Sequence, residues 1–283
     1  MEKDNKVTEI IEKSVDSIVD AVDQNDDGKV DVQDVIILAL KTPGVGIKRD
    51  SYLKKELTGR VSEDTILKAI NSTPLQAGIS RDEIDAIVKD VIKFERNCVS
   101  GISAVLGMPG GAAMAATIPA DIAQYYGYML RAAQKMLYLY GFQDIEIDEE
   151  GPSLNSKTMN TLVLCLGAMY GVEGANKAIK AMANALAKNV EKQLMNKALT
   201  KGTLYPIVKN VLKWFGVNLT KKTFAQFFSK AIPVAGAVVG GGITYVTFET
   251  CCNKLQATLR DTILSNPDYK ADPEIEKIEI IEE

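Results

Sequence analysis

Apolar residues recur every three to four positions along nearly the whole chain, and the segments they mark read as helices. Val7 to Val22 sets Ile10, Ile11, Val15, Ile18, Val19 and Val22 on one stripe with the charges opposite. Arg49–Leu57 and Ser62–Ile70 read as short helices, the second opened by Ser62 as N-cap and followed by Asn71 and Pro74. Ser80-Arg-Asp-Glu83 is a capping-box pattern that starts a helix over Ser80–Arg96, with Ile84, Ile87, Val91 and Ile92 in register. Ile118–Tyr140 carries Pro119 and Asp121 in its expected first turn and Gly141 just past its end. Further helices are expected over Lys157–Tyr170, Gly174–Leu199, Tyr205–Phe215, Lys221–Lys230 and Ala235–Asn266.

Period-two alternation is not sustained anywhere but the extreme tail, and no internal repeat or Pro- or Ser-rich linker is evident. The expected fold class is therefore all-α, a multi-helix bundle. Thr42-Pro-Gly-Val-Gly46 breaks the helical pattern and suggests a boundary near Pro43–Ile47. That gives a helix–loop–helix head over 1–45, a helical domain over 46–265 and an acidic tail over 266–283, the last expected to be solvated and partly disordered.

Three stretches carry no charge: Asn97–Ala120, Thr158–Val172 and Ala231–Phe248. A membrane-crossing helix needs about 20 mostly apolar residues. The first is long enough but contains Pro109, Pro119 and four glycines, and the last holds Pro233 and four more. The pairs Gly107/Gly111, Gly167/Gly171 and Gly236/Gly240 have the spacing that lets helices approach closely. Tight core crossings are the leading expectation and membrane contact the alternative.

Composition narrows the chemistry. With 46% hydrophobic and 25% charged residues and a mean hydropathy of −0.01, the 283-residue chain has the balance of an ordinary folded protein. It has no histidine, which removes Ser–His–Asp and Cys–His catalysis, HExxH zinc sites and histidine pH switches. Cys98, Cys165, Cys251 and Cys252 form no CxxC and read as small buried hydrophobes of a reducing compartment. The charged opening MEKDNKVTEI lacks the apolar core of a signal peptide, so the expected location is the cytoplasm.

The sharpest motif runs from Asp23 to Asp34, D-x-N-x-D-G-x-V-D-x-x-D, and resembles an EF-hand loop. Asp23, Asn25 and Asp27 supply side-chain oxygens from alternate residues, Gly28 permits the sharp turn, and Lys29 offers its carbonyl. Val30 anchors the loop, Asp31 acts directly or through water, and Asp34 closes the site. Aspartate at the last position, where glutamate is usual, is shorter and less readily bidentate. The expected ion is one Ca²⁺, with Mg²⁺ as competitor. The same pattern resembles a dockerin loop, of which a dockerin carries two and this chain one.

Gly107-Met-Pro-Gly-Gly111, Thr117-Ile-Pro-Ala-Asp121, Tyr138-Leu-Tyr-Gly141 and Lys230-Ala-Ile-Pro-Val-Ala-Gly-Ala-Val-Val-Gly-Gly-Gly242 together resemble the EcsC family, over roughly Arg49 to Asp261. The family is named after a bacterial gene neighbouring an ABC transporter and has no established activity. The resemblance implies a bacterial, intracellular helical domain associated with membranes, with the calcium loop as an N-terminal addition.

No GxSxG elbow, P-loop or strand-borne GxGxxG is present, and the chain reads as non-catalytic. Asp121 reads as serving a helix N-terminus, and an enzyme acting on a small molecule near Asp121 is the less favoured alternative. Charge points elsewhere. Gly174–Lys230 holds 11 lysines, no arginine and one acid, Glu191, for a net +10 in a chain of net −4. Lys177, Lys180, Lys188 and Lys192 ring one side of an expected amphipathic helix whose other side carries Ile179, Met182, Leu186, Val190 and Leu194. Lys209, Lys213, Lys221 and Lys222 interleave with Trp214-Phe215 and Phe227-Phe228, a pattern of anionic-lipid surfaces.

The absence of arginine from this block disfavours nucleic acid. A plain solvated face, an acidic protein, or the chain's own acidic regions are the other readings of the lysines. The functional expectation is a calcium-binding helical protein attached peripherally to a membrane or membrane protein, with a soluble intracellular scaffold carrying a structural calcium site as the alternative.

Overall fold

Residues 157–170 show why the chain closes around itself: no charge lies between Lys157 and Tyr170, so a helix there has no face to give to water. The computed structural model of the chain describes residues 23, 32–42, 44–106, 112–145, 157–190, 192–218, 237–270, 272–276 and 278. Its helices are α1 (Val32–Leu40), α2 (Arg49–Leu57), α3 (Glu63–Asn71), α4 (Arg81–Leu106), α5 (Ala112–Leu139), α6 (Lys157–Tyr170), α7 (Ala175–Ala187), α8 (Lys192–Thr200), α9 (Tyr205–Asn218), α10 (Ala237–Arg260) and α11 (Pro273–Glu276). The protein is all-α; among the described residues the only β feature is an isolated bridge between Thr58 and Val61.

Helix α6 is the centre of the bundle. Every residue from Thr158 to Met169 is buried, and α1, α5, α7, α8, α9 and α10 all pack against it. The small-residue spacing acts here as a core crossing: a methyl group on Gly167 would sit 2.8 Å and 2.9 Å from the two Val211 methyls of α9. The widest helix pairing is α4 on α10, followed by α4 on α5. Among the described residues, no helix is long and apolar enough to cross a membrane.

Capping follows the sequence closely. Glu83 accepts from the Ser80 N–H (2.9 Å) and hydroxyl (2.6 Å), and these bonds hold its carboxyl below the usual range. Ser62 accepts from the Thr65 N–H at 3.2 Å, as an N-cap does. Gly141, at φ +91°, closes α5 with the Phe142 N–H reaching back to the Leu137 carbonyl at 2.9 Å.

Several elements depart from the periodicity. The expected single helix over Gly174–Leu199 is two, because Asn189 adopts φ +53° and Val190 N–H bonds to the Ala185 carbonyl at 3.0 Å, a helix-ending turn capped by a half-buried valine. The helix expected from Ile118 begins at Ala112, so Pro119 and Asp121 lie inside α5 and not in its first turn. The run of good helix formers Ala112-Ala-Met-Ala-Ala116 carries the helix through the proline. Helix α4 likewise continues past Arg96 to Leu106. The expected helices over Val7–Val22 and Lys221–Lys230 lie outside the described residues.

Helix α1 and the segment after it belong to the same core as the rest. Val32, Val35, Ile36 and Ala39 are wholly buried in the common hydrophobic cluster. Successive turns of α5 hold residues 44–47. Arg131 donates to the Gly44 carbonyl (2.7 Å). Gln134 donates to the Val45 carbonyl (2.9 Å) and accepts from the Ile47 N–H (3.0 Å). Tyr138 donates to the Ile47 carbonyl (2.9 Å). In the acidic stretch after Asn266, Pro273–Glu276 is helical and packs on α7, with Ile275 buried in the core.

Gly167→Ala is expected to lower stability by about 1–3 kcal/mol through overpacking against Val211. Denaturant unfolding should show Val211→Ala recovering part of that loss in the double variant, so that the two changes are less than additive. Full additivity would mean that α6 and α9 do not meet at this point.

Candidate functional site

The calcium-loop residues divide between what is described and what is not. Asn25, Asp27, Lys29 and Asp31 lie outside the described residues, whereas Asp23 and Asp34, the first and last of the motif, lie within them. Asp34 sits in the first turn of α1 and is fully buried, beside the buried Val32, Val35 and Ile36. A carboxylate there is favoured by the helix N-terminus. Asp23 is half-buried. Among the described residues, no group of three or more acidic, cysteine or histidine side chains is placed to hold a metal.

The lysines are positioned by helices whose other faces feed the core. On α7, Ala175, Ala178, Ile179, Met182 and Ala185 are buried, which leaves Lys177, and Lys188 at the C-cap just past the helix, exposed. At 100° per residue, Lys177, Lys180 and Lys188 fall within about 80° of arc, and the outer two are about 16 Å apart along the axis. Lys180 is drawn into an ion pair with Asp261, just past α10. Lys209 and Lys213 are exposed one turn apart on α9, and the Lys209 ammonium lies 4.7 Å from the centre of the Tyr205 ring.

Lys192 opens α8 and no longer extends the α7 face, because Asn189 turns the chain between them. Trp214 is not a free anchor. It is half-buried, with its ring 5.8 Å from Tyr170 and 5.0 Å from Phe215, so this first aromatic pair of the interleaved pattern packs inward, while Phe227 and Phe228 lie outside the described residues. Lys221 and Lys222 lie outside the described residues.

Two polar centres escaped the sequence reading. Glu95 on α4, wholly buried, is paired with Arg131 (3.2 Å) and Lys135 (2.5 Å) of α5. Arg131, which is too far along α5 to pair with Asp121, thus serves α4 and the 44–47 segment. Asp85, also on α4, accepts from the Tyr140 hydroxyl at 2.7 Å and pairs with Arg260 of α10. The signal was present in the sequence: Asp85 and Glu95 fall on or beside the stripe set by Ile84, Ile87, Val88, Val91 and Ile92. A carboxylate in register with a core stripe needs a partner.

Arg49 is a third missed feature. Its buried guanidinium donates to the carbonyls of Phe142 (3.1 Å), Ile70 (2.6 Å), Ala69 (3.0 Å) and Ser72 (2.8 Å), joining the C-terminal ends of α3 and α5. Burial lowers its pKa, opposed by Asp50 and Asp144. Beside it opens a cleft of about 750 Å³, rimmed by Asp50, Gln76, Asp144, Leu186, Asn189 and Leu264. Four of the five N–H donors of Arg49 are spent on main-chain carbonyls and Asp50 lies 3.6 Å from its Nη1, so the guanidinium offers the cleft little.

The buried thiols are inert by environment. Burial pushes the Cys165 thiol to about 12 and Cys251 to about 11, and raises Cys252 well above its usual value. Cys98 is the most accessible of the four. A thiol reagent at pH 8 is expected to modify Cys98 in the native protein and the other three only in denaturant, counted by mass spectrometry. Rapid native labelling of more than one site would contradict the packing around α10 or α6. Comparison of the chain with protein-family models, curated proteins and solved structures finds no match.

Proposed function

We propose that this is a non-catalytic, calcium-binding helical protein that attaches peripherally to an anionic membrane surface, or to a membrane protein presenting one, through the lysine faces of α7 and α9. The observation that carries the reading is the exposure of Lys177, Lys188, Lys209 and Lys213 on helices fixed from behind by the core, in a chain of net negative charge. Attachment of this kind is electrostatic, because Trp214 and Phe215 are committed to the interior. An EcsC-like assignment of residues 49–261 forms part of the same reading, and the all-helical architecture supports it.

The calcium site comprises Asp23, Asn25, Asp27, the Lys29 carbonyl, Asp31 and Asp34. An all-oxygen donor set of this spacing suits a hard cation, Ca²⁺ ahead of Mg²⁺. Asp34, the last residue of the motif, lies fully buried at the start of α1, which supports a site closed off from water on that side. The adjoining helix α1 lies in the common core, so the ion's role here is to order the loop against that core.

Calorimetry is expected to show one Ca²⁺ taken up by the wild type and none by Asp23→Ala combined with Asp27→Ala. Equal uptake by the two proteins would remove the site. Flotation with anionic and neutral vesicles tests the surface. Binding should require anionic lipid and weaken with salt, and Lys209→Glu with Lys213→Glu should lower the affinity at least about tenfold, given roughly 1 kcal/mol per lysine near the membrane. Attachment to neither vesicle at low salt would leave the lysines as a solvated face.

A further inference from the structure

The cleft beside Arg49 lies where the ends of five helices meet. Its wall takes Asp50 from the start of α2, Ile70 from the end of α3, Asp144 from the turn after α5, Leu186 from the end of α7 and Ile263 from the turn after α10. Four of these five are C-terminal ends, where main-chain carbonyls run out of intrahelical partners and the partial charge is negative. Arg49 shows what such an arrangement accepts. Its guanidinium is held by carbonyls of two of these ends, Ala69 and Ile70 of α3 and Phe142 just past α5.

The side chains lining the cleft lean the same way. Arg49 is the only cationic one among the described residues of the wall, and its guanidinium is already engaged. Lys188 lies between two wall residues in sequence, but does not line the cleft. Two carboxylates do. Asp144 is fixed by accepting the Arg49 backbone N–H at 2.9 Å, whereas the Asp50 side chain keeps 73% of its surface exposed. Apolar groups complete the wall: Leu75, Leu186 and Leu264 are half-buried, and Ile263 remains 43% exposed. The volume of about 750 Å³ falls in the range of small-molecule sites.

We infer that this cleft binds a small aliphatic amine or guanidine, its cationic head drawn by Asp50 and Asp144 and its methylenes covering Ile263 and Leu264. An anionic ligand would meet two carboxylates with no uncommitted cation to offset them. A neutral apolar ligand would take both carboxylates out of water without replacing their hydration. The aliphatic cation satisfies the acids and removes the exposed isoleucine from water together. Binding is reversible, involves no covalent step and is independent of the membrane attachment proposed above.

Calorimetry on the full chain tests this with agmatine, which joins a guanidinium to an ammonium through a short methylene chain. Pentanoate and pentanol serve as its anionic and neutral counterparts. Saturable uptake of agmatine, and of neither counterpart, is expected. Asp50→Asn and Ile263→Asn change exposed side chains and therefore spare the core. The first is expected to weaken agmatine about tenfold through loss of a charged partner. The second should weaken it several-fold through loss of apolar cover. Hydrogen exchange at residues 70–76 and 141–144 should slow on binding, which distinguishes the cleft from other acidic faces. No saturable binding in the millimolar range, equal uptake of either counterpart, an affinity unchanged in either variant, or unchanged exchange at both segments would overturn the inference.

Discussion

A helix enclosed on all sides dictates the chemistry of its neighbours. Helix α6 has no solvent face from Thr158 to Met169, so it tolerates no charge there and needs a partner for each polar group it keeps. Asn160 meets this condition by donating to the Leu199 carbonyl at 3.1 Å, and Gly167 meets the spatial one by letting α9 close in. Each surrounding helix then needs one apolar face toward α6 or its flanks and has an outer face left for charge. The lysines of α7 and α9 point outward because the inward positions are taken by alanine, isoleucine, methionine and valine.

Where the apolar pattern stops, hydrogen bonds from α2 and α5 take over. Arg49 ties the ends of α3 and α5, and Arg131, Gln134 and Tyr138 hold residues 44–47, so that α1 cannot drift from the core it enters. Glu95 stands between Arg131 and Lys135 without solvent. Such a buried triad adds little net stability over an apolar substitute, but removing one member leaves a charge stranded at a cost of several kcal/mol. It joins α4 to α5 at one defined point of their contact.

How much of this was legible in the sequence depended on range. Lys157–Tyr170 and Arg49–Leu57 could be bounded to the residue, and the Ser80–Glu83 box and Gly141 cap identified, because the deciding interactions are local. The break at Asn189 was hidden because Ile179, Met182, Leu186, Val190 and Leu194 keep helical spacing straight through it. Only a left-handed residue followed by a valine marked the turn. The start of α5 was misplaced because a proline reads as a first-turn residue, while strong helix formers ahead of it outweigh that signal. The pairs Glu95–Arg131, Asp85–Arg260 and Lys180–Asp261 span 36 to 175 positions and have no local signature. Of the candidate site, the motif spacing and the positive block were visible; that Trp214 turns inward and that an acidic segment lies on α7 follow from packing alone.

The charge distribution constrains what an outside partner of the lysine faces must be. Screening weakens contacts with the chain's own acids and contacts with an external anion alike, so salt by itself does not favour the partner. Within the chain, Asp261 already holds Lys180, and a tethered contact of this kind has the advantage of a high effective concentration. A single small anion meets one lysine at a time and cannot match that. A surface with many anionic groups can, where several exposed lysines engage it at once, each adding on the order of 1 kcal/mol. Under the membrane attachment proposed above, the exposed lysines favour an extended, multivalent anionic partner over a discrete ligand.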